Sequence, residues 1–529
     1  MNHTYQQESH RAIEQWAAAF FGQFPHETAS SDEEEVSQQL LAARMYQAVT
    51  KTAVLYSEAT RQYAQDFFEL QSHTIRILFA NWMSRRQPTP EYDPSAFSAF
   101  AGLSGIFTDM MTGAISKSFS YHAEKSLELA KAAATGMPEN IVAFWEQQAK
   151  VLDIVVNQNP EAVKKISEIA GFHFENTREY TRIAETERAI LYRVLPIEDG
   201  VVIDEERKPV LHVAPFILRE DIIALLPHSG LSLVHAFAHE SVPTYVLHVK
   251  NIMQTPAVQE MTGEDMVRDI KYFAELLMLK HGFRVSLVGT CQGAYFSLLA
   301  YLTGELDGCV NVLIQNVPPN DLTRSPRFKK NWEMIPESRK NLRSIAITLP
   351  NGNQVVSGHP ASLSMRLSDF GEENPASALI RDLIAAERGV TNMGAAITKW
   401  LQGIVPMPLR ITEISQRSVA APIGPDGILP VMLFGKRLCL SHLVEQGIKF
   451  HVVVGQKDNV VEPAVALAPF TVPCIKEYAG ATYHIVPNAG HVAPMTTCAQ
   501  KSSKNYVGNE GGSLWFHLKQ EAEAFQKTS

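Results

Sequence analysis

The sequence predicts a chain in two parts, an all-α N-terminal region followed by an α/β domain built on a mostly parallel sheet. Up to about residue 190, apolar side chains recur at helical spacing, and after about Leu191 strand-like apolar runs alternate with helical segments. The composition, 45% hydrophobic and 19% charged residues, is that of a globular protein. At 529 residues the chain can hold two or more domains. We therefore expect domains at about 1–190 and 191–529.

The N-terminal region is expected to form a series of helices separated by Pro and Gly. In the first helix, Leu41, Met45 and Tyr56 follow one another at roughly helical spacing. The expected helices cover about Asp32 to Arg86, Ser95 to Ala134, Glu139 to Asn157, and Pro160 to Ile190. Apolar stripes of this kind are typical of a packed bundle. A docking or dimerisation surface is the alternative.

The second part of the chain alternates strands and helices. The expected strands are Val210–Val213, Thr244–Val249, a run beginning at Val285, and Val310–Ile314. Helices are expected near Leu231 to Ala238 and from Gly263 to Lys280. This order favours a mostly parallel sheet with helices on both faces.

A long insertion interrupts the alternation between about residues 316 and 440. It contains Pro, charged residues and several short helix candidates, with no clear series of strands. We expect a cap over the carboxyl ends of the strands, where it would shield a reactive group from water and shape a pocket. The alternation resumes at Ile448, and a helix from Leu514 to Phe525 is expected to close the chain.

A cysteine lies at the apex of the sharpest predicted turn. The run Val285 to Ala300 reads as a buried strand, a turn and a helix, and Gly289 and Gly293 flank Cys291 within the turn. This is the G-x-S-x-G pattern of a nucleophile elbow, with sulfur in place of oxygen. The glycines permit a backbone too tight for larger residues. The alternative is a glycine-bounded turn that holds an inert cysteine.

Two later segments favour the catalytic interpretation. An apolar run from Phe450 ends in Gly455 and Asp458, and a second run from Tyr483 ends in His491. An α/β-hydrolase sheet presents its nucleophile, acid and histidine after successive strands in that chain order. The sequence therefore predicts an α/β-hydrolase fold with a Cys291, Asp458 and His491 triad.

The triad has a defined chemistry. His491 would accept the proton of the Cys291 thiol, and Asp458 would orient the imidazole and stabilise its charged form. The start of a helix further favours a thiolate. The oxyanion hole would use the backbone N–H of Gln292 and one from the loop at Phe216 or Ile217. A cysteine acyl-enzyme is itself a thioester, so exchange with a CoA thiol is nearly thermoneutral, which indicates acyl transfer from acyl-CoA.

Other function classes find less support in the sequence. The net charge of −9 argues against an extended nucleic-acid interface. No apolar stretch reaches the length of a membrane span and no signal pattern opens the chain, so we expect a cytoplasmic protein without a transmembrane segment. No dinucleotide or phosphate-binding glycine loop is present, and no cofactor is expected. The cysteines do not form a metal or disulfide pattern, and we expect Cys309, Cys439 and Cys474 to be buried packing residues.

Two histidines form a weaker metal candidate. His235 and His239 lie four residues apart on a probable helix, a spacing that can bind a metal ion. No Glu stands between them in an H-E-x-x-H pattern, so a surface helix is the preferred interpretation and no metal site is expected. His484, inside the strand before His491, is expected to be structural.

The chain from roughly Pro209 to Pro494 resembles the polyhydroxyalkanoate synthases, which are Cys-dependent members of the α/β-hydrolase fold. The likeness lies in five passages: Val210–Ile217, Val242–Val249, Gly289–Gly293, Val454–Pro463 and Asn488–Val492. It implies catalytic roles for Cys291, Asp458 and His491, hydroxyacyl-CoA substrates and a polyester product. It also implies a homodimer and association with polyester granules. Thr290, Gln292, Ala294 and Asn459 depart from the residues usual in that family.

Three functions therefore compete. The leading prediction is an acyltransferase that polymerises hydroxyacyl-CoA into polyhydroxyalkanoate through a Cys291 thioester. An intracellular polyester depolymerase or an acyl-CoA thioesterase would use the same triad with water as the acceptor. A non-catalytic granule-associated protein is the third alternative, and the presence of all three triad residues weighs against it.

Overall fold

The N-terminal part of the protein is helical where the structure describes it. The computed structural model describes residues 37, 39–61, 72, 123–168, 179–229, 231–334, 346–356, 358, 395–396, 399–400 and 405–495. The described residues before the sheet form the helices α1 (39–61), α2 (123–134), α3 (Pro138–Asp153) and α4 (Asn159–Lys165), with a π-helical turn at Ile154–Gln158 and a 3₁₀ turn at Ile166–Glu168. Most of the expected helical stretches 62–86 and 95–122 lie outside the described residues.

Helices α1 and α3 pack along an apolar seam. Met45 contacts Ile141 and Val142, and further along α1 the side chain of Leu55 packs with Leu152. Since Met45, Leu55 and Ala59 are buried at helical spacing, one face of α1 is covered by apolar neighbours. These helices form a compact unit of their own, and the main sheet belongs to a second unit.

Within the described residues, eight strands form the main sheet. Their order is β1-β2-β4-β3-β5-β6-β12-β13; β2 is antiparallel to both of its neighbours, and the other pairs are parallel. The strands are β1 (Tyr180–Glu185), β2 (Ala189–Val194), β3 (Val210–Val213), β4 (Thr244–Val249), β5 (Val285–Thr290), β6 (Val310–Asn316), β12 (Lys449–Gly455) and β13 (Ala481–Val486). With an elbow directly after β5, this is the sheet of an α/β-hydrolase fold.

The helix expected from Pro160 to Ile190 is wrong over residues 180–190, and its stretch 169–178 lies outside the described residues. Residues 180–194 instead form the β1–β2 hairpin, so the sheet begins before residue 191. In β2 the side chains of Ala189, Leu191 and Val194 are buried, and β2 pairs with the central strand β4. The Thr186 hydroxyl accepts hydrogen bonds from two backbone N–H groups and closes the turn. Pairing and burial thus override the helical character of the local sequence.

Helices flank the sheet, and their apolar side chains pack against it to form the hydrophobic core. The long helix α7 (Gly263–His281) begins with a Thr262–Asp265 capping box and ends at Gly282, which adopts a left-handed conformation. Every residue of α8 (Gln292–Leu302) is buried, as expected for the helix behind a nucleophile elbow. Shorter helices are α5 (Leu233–His239), α6 (Pro256–Gln259), α11 (Ser441–Glu445), α12 (Pro463–Ala466) and α13 (Pro473–Lys476). None of the described helices combines the length and apolarity needed to cross a bilayer.

The insertion contains short strands that the sequence did not predict. Between β6 and β12, its described residues form a three-stranded sheet and a hairpin, and none of these strands joins the main sheet. The elements are α9 (Pro326–Met334), β7 (Ala346–Thr348), β8 (Gln354–Val356), β9 (Met407–Pro408), α10 (Leu409–Ala420), β10 (Ile428–Leu433) and β11 (Lys436–Cys439). The strands β7, β8 and β9 have only two or three residues, which is too few for a periodic pattern to be recognised in sequence. The expected C-terminal helix lies outside the described residues.

The described cysteines are free thiols with different burial. Cys309 is buried, as expected, whereas Cys439 and Cys474 are partly exposed. The expectation for these two was wrong because each lies on a four-residue element, two of whose other residues are exposed.

A buried ion pair joins β2 to α7 and gives a stability prediction. The guanidinium of Arg188 makes two hydrogen bonds of 2.9 and 3.0 Å to the Asp269 carboxylate, whose side chain is 2% exposed. Asp269→Ala should lower the free energy of unfolding by about 3 kcal/mol, because it leaves the largely buried guanidinium of Arg188 with only the longer contact of 3.8 Å to Asp265. Urea denaturation would measure the loss. Glu305→Ala, which removes an exposed pair with Lys271 on the same helix, should cost about 1 kcal/mol or less; equal losses would contradict this account.

Candidate active site

Cys291 occupies the turn between β5 and α8 in a strained backbone conformation. Its φ of 50° and ψ of −122° are rare for a residue with a side chain, and such strain typically costs about 1–3 kcal/mol. The Cys291 N–H donates a hydrogen bond of 2.8 Å to the Asn316 carbonyl at the end of β6. The side chain is 5% exposed. The neighbouring strand thus fixes the thiol at the carboxyl edge of the sheet.

The two glycines of the turn are required by close backbone approach. A Cβ on Gly289 would overlap the Cα of Ala294, and a Cβ on Gly293 would overlap the carbonyl oxygens of Val213 and Ala214. Because these neighbours are backbone atoms, they cannot rotate away. The two glycines of the G-x-C-x-G pattern are therefore needed because the elbow packs directly against its own helix and against the loop after β3.

Asp458 and His491 meet beside the elbow. His491 Nδ1 lies 2.8 Å from Asp458 Oδ2, and both side chains are at least nine-tenths buried. The other oxygen of Asp458 accepts hydrogen bonds from the N–H groups of Val460 (2.9 Å) and Val461 (2.7 Å). Since these bonds fix the carboxylate, its free edge can hold the imidazole in one orientation. The Cys291 thiol also acts on the imidazole, because its proximity raises the pKa of His491.

The loops that carry Asp458 and His491 are bonded to each other. Lys457 N donates to the Ala489 carbonyl at 2.8 Å, and Asn488 N donates to the Gln456 side chain at 3.0 Å. A Cβ on Gly455 would overlap the Ala489 carbonyl, so this glycine too is required by close packing. The acid and histidine loops therefore form one connected rim at the ends of β12 and β13.

Asn316 is a site residue that the sequence analysis missed. Its carbonyl accepts from Cys291 N, and its side-chain amide donates to the Pro494 carbonyl at 3.0 Å. It thereby ties the nucleophile turn to the segment after His491. Its position two residues after the predicted strand Val310–Ile314 was the only signal in the sequence, because the contact to Pro494 spans 178 residues.

The surroundings of His491 favour its charged form. Burial lowers the pKa of the imidazole, but the charge of Asp458, the hydrogen bond that its carboxylate accepts from the ring, and the neighbouring Cys291 more than offset this effect. The net result is a pKa well above the ordinary value of about 6.5. His491 can therefore hold a proton beside the carboxylate of Asp458.

The residues expected to stabilise an oxyanion lie around the elbow. Gln292 is the first residue of α8, where backbone N–H groups have no acceptor within the helix. Phe216 and Ile217 form a turn directly after Pro215, which has no N–H to donate. The start of this loop, Ala214, packs against Gly293. The loop and the helix start thus adjoin, and which amides donate stays a prediction.

The insertion contacts the elbow through Gln292. Its amide nitrogen donates to Ser415 Oγ on α10 at 2.9 Å, and it lies 3.8 Å from the sulfur of Met407. Ser415 in turn donates to the Ile411 carbonyl at 3.2 Å, which fixes the direction of the Gln292 bond. The insertion therefore covers the first turn of α8, the position expected for a cap.

His235 and His239 do not lie on a surface helix as expected. His235 is buried, its Nδ1 lies 2.7 Å from Ser232 Oγ, and burial lowers its pKa to about 3. His239 accepts a hydrogen bond from Ile197 N at 3.2 Å. His235 is therefore a buried packing residue, and His239 accepts the hydrogen bond of a backbone N–H group. His484 lies within β13, as expected.

Comparisons with known proteins give similarity in structure only. No protein-family model matches the sequence, and no curated protein sequence matches it. A soluble variant of monoglyceride lipase from Saccharomyces cerevisiae aligns at 11% identity, covering 67% of this chain and 98% of the lipase, with a TM-score of 0.40. A thermophilic esterase from Thermogutta terrifontis aligns at 15% identity over 66% and 96% of the chains (TM-score 0.33), and a thioesterase domain from the curacin biosynthetic pathway at 14% over 60% and 95% (TM-score 0.32). Because these TM-scores are low, we assign the fold class from the strand order of the sheet and from the elbow after β5.

The close approach at Gly293 predicts a strong effect of a single methyl group. Gly293→Ala should lower the free energy of unfolding by about 1–3 kcal/mol or more, because the loop after β3 must move away. It should also slow alkylation of Cys291 by iodoacetamide through displacement of the elbow. Gly308→Ala adds the same methyl group where no atom lies within 4 Å and serves as the control. Equal stability and equal labelling of the two variants would contradict the argument.

The interaction with Asp458 predicts the titration of His491. In protein labelled at histidine, the NMR titration midpoint of His491 should lie above the ordinary value. In Asp458→Asn it should fall to that value or below it, since burial then acts without the carboxylate. Because the folded-state pKa is raised, the stability it contributes is complete below about pH 6.5 and is lost as pH rises through the folded-state value. Asp426→Asn, at an exposed position, is the control; the same midpoint in all three proteins would contradict the pairing.

Proposed function

We propose that the protein is an acyltransferase that transfers hydroxyacyl groups from CoA thioesters through a covalent thioester on Cys291. The observation that carries the proposal is a buried thiol at a strained elbow, together with a histidine whose Nδ1 lies 2.8 Å from Asp458 Oδ2 and whose pKa is raised by that thiol and by Asp458. A strained and buried arrangement of this kind is common at functional sites. Cys291, His491 and Asp458 act as nucleophile, general base and orienting group.

In the first half-reaction, the Cys291 sulfur attacks the thioester carbonyl and the carbonyl oxygen gains negative charge. Backbone N–H groups at Gln292 and at Phe216 or Ile217 stabilise this oxyanion. The tetrahedral intermediate then breaks its bond to the CoA sulfur. His491 donates to the leaving thiolate the proton it took from Cys291, and CoA departs as a thiol.

In the second half-reaction, a hydroxyl group attacks the acyl-Cys291 thioester. His491 removes the hydroxyl proton, and the proton returns to the Cys291 sulfur as that sulfur leaves. When the hydroxyl belongs to another hydroxyacyl unit, an ester bond forms and a polyester grows. When water is the acceptor, the same steps release a free acid, which is the hydrolytic alternative.

The acceptor is assigned to a hydroxyl for two reasons. The insertion covers the elbow through Gln292 and Ser415, and cover of this kind excludes water from a reactive intermediate. The resemblance to polyhydroxyalkanoate synthases is the second reason, and it also suggests a homodimer and association with granules. The N-terminal helices would be available for either contact.

One assay separates the candidate reactions. The full-length protein is incubated with 3-hydroxybutyryl-CoA, and both CoA release and the acyl product are followed. We expect CoA release with formation of polyester. Free 3-hydroxybutyrate as the only product would identify a thioesterase, and release of acid from added polyester would identify a depolymerase; either would contradict the proposal. Absence of any turnover with a panel of acyl-CoA thioesters would favour the non-catalytic alternative.

Variants of the triad test the assignment of roles. Cys291→Ala should abolish covalent acylation, and Cys291→Ser should keep the geometry but lose most of the rate. Asp458→Asn should lower kcat by about 10³–10⁴-fold, because the imidazole loses its orienting partner. Cys309→Ala, at a buried thiol away from the elbow, should have no comparable effect. Wild-type turnover in Cys291→Ala would show that the nucleophile is another group.

A further inference from the structure

We propose that a cavity beside the nucleophile elbow is the binding site for a short acyl chain. The cavity has a volume of about 160 Å³ and lies at the carboxyl ends of β3 and β4, where it is covered by the first described residues of the insertion's β9 segment. This inference rests on the acyl transfer proposed above and adds the size of the acyl group that the site accepts.

The cavity is separated from the elbow by a single layer of residues. Ala214 lines the cavity, and its carbonyl oxygen lies against Gly293, two residues after the nucleophile. Phe216 also lines the cavity, and its ring packs edge-on against Phe296 of α8 with centroids 5.7 Å apart. The loop expected to bind the oxyanion therefore forms the wall between the thiol and the cavity. An acyl carbonyl at that loop would direct its chain towards this space.

The insertion completes the cavity on the side of the elbow. Val405, Pro406 and Pro408 line the cavity, whereas Met407 between them is directed to Gln292, whose amide nitrogen lies 3.8 Å from the Met407 sulfur. One segment of the insertion thus contacts both the cavity and the residue next to Cys291. This continuity is expected of a pocket that serves the same reaction as the elbow.

The lining of the cavity is mostly apolar. Its remaining walls include Ile252 and Val258, and its charged residues are engaged within the protein. The Arg219 guanidinium lies 3.7 Å from the Glu220 carboxylate, and the Lys250 ammonium lies 3.0 Å from the Glu185 carboxylate. Because internal partners already neutralise these cations, the cavity suits a hydrocarbon chain better than the phosphates of CoA.

The volume of the cavity limits the length of the acyl chain that it can hold. An apolar cavity of about 150 Å³ accommodates a benzene molecule, so a space of this size holds a group of about four to six carbons. We therefore infer that 3-hydroxyacyl groups of about this length fit the cavity, and that longer chains meet its wall.

The test compares substrates of different length in variants that shrink or enlarge the cavity. The substrates are three-, four-, six-, eight- and ten-carbon 3-hydroxyacyl thioesters, each as the CoA and as the N-acetylcysteamine derivative. For the wild type we expect kcat/KM to be highest at four to six carbons and about tenfold lower or more at ten. Val405→Phe should lower kcat/KM for the six-carbon substrate by about tenfold and change the three-carbon value little. Ile252→Ala should shift the preference in the opposite direction, towards eight carbons.

Controls separate the failure of this inference from the failure of the proposed function. Val444→Phe introduces the same ring at another half-buried position outside the cavity and should leave the length preference unchanged. An equal effect of Val405→Phe on all chain lengths, or no shift in Ile252→Ala, would overturn the inference while acyl transfer stands. A loss confined to CoA thioesters at every length would assign the cavity to CoA instead. If no thioester acylates wild-type Cys291, the proposed function fails, and this inference fails with it.

Discussion

The first turn of α8 can approach β3 only because residue 293 has no side chain. The carbonyl oxygens of Val213 and Ala214 occupy the space that a Cβ would need, and Ala294 occupies the corresponding space at Gly289. This approach holds the Cys291 backbone at positive φ and keeps its thiol at the edge of the sheet. It also sets the position of the loop after β3, which contributes to both the expected oxyanion hole and the acyl cavity. One steric constraint thus determines three parts of the site.

The electrostatics of the site depend on burial as much as on charge. Asp458 is fixed by two backbone N–H groups and has a fully buried side chain, so its charge acts on His491 through little intervening water. Burial alone would discharge the imidazole, and the carboxylate reverses this preference. The hydrogen bond from Asn488 N to the Gln456 side chain joins the two loops and so keeps Asp458 next to His491. Cover by the insertion at Gln292 extends the same low-dielectric environment over the thiol.

The sequence predicted the central strands because each is a continuous apolar run bounded by Gly or Pro, and β3 and β4 have the expected bounds. It missed β1 and β2, since a half-buried hairpin with Thr and Arg on its exposed face gives weak periodicity. The positions of Cys291, Asp458 and His491 could be predicted because each follows a strand in a recognisable order. The contacts of Asn316 and the cavity beside the elbow could not, because they join loops far apart in the chain.

The central claim is that the Cys291 sulfur carries the acyl group during turnover, and rapid quenching with mass spectrometry measures this most directly. Protein mixed with 3-hydroxybutyryl-CoA is quenched in acid within the first turnover and digested. The account predicts an acyl adduct on the peptide that contains Cys291, removable by neutral hydroxylamine as expected for a thioester. CoA release with an unmodified Cys291 peptide, or with the acyl group on another residue, would contradict it.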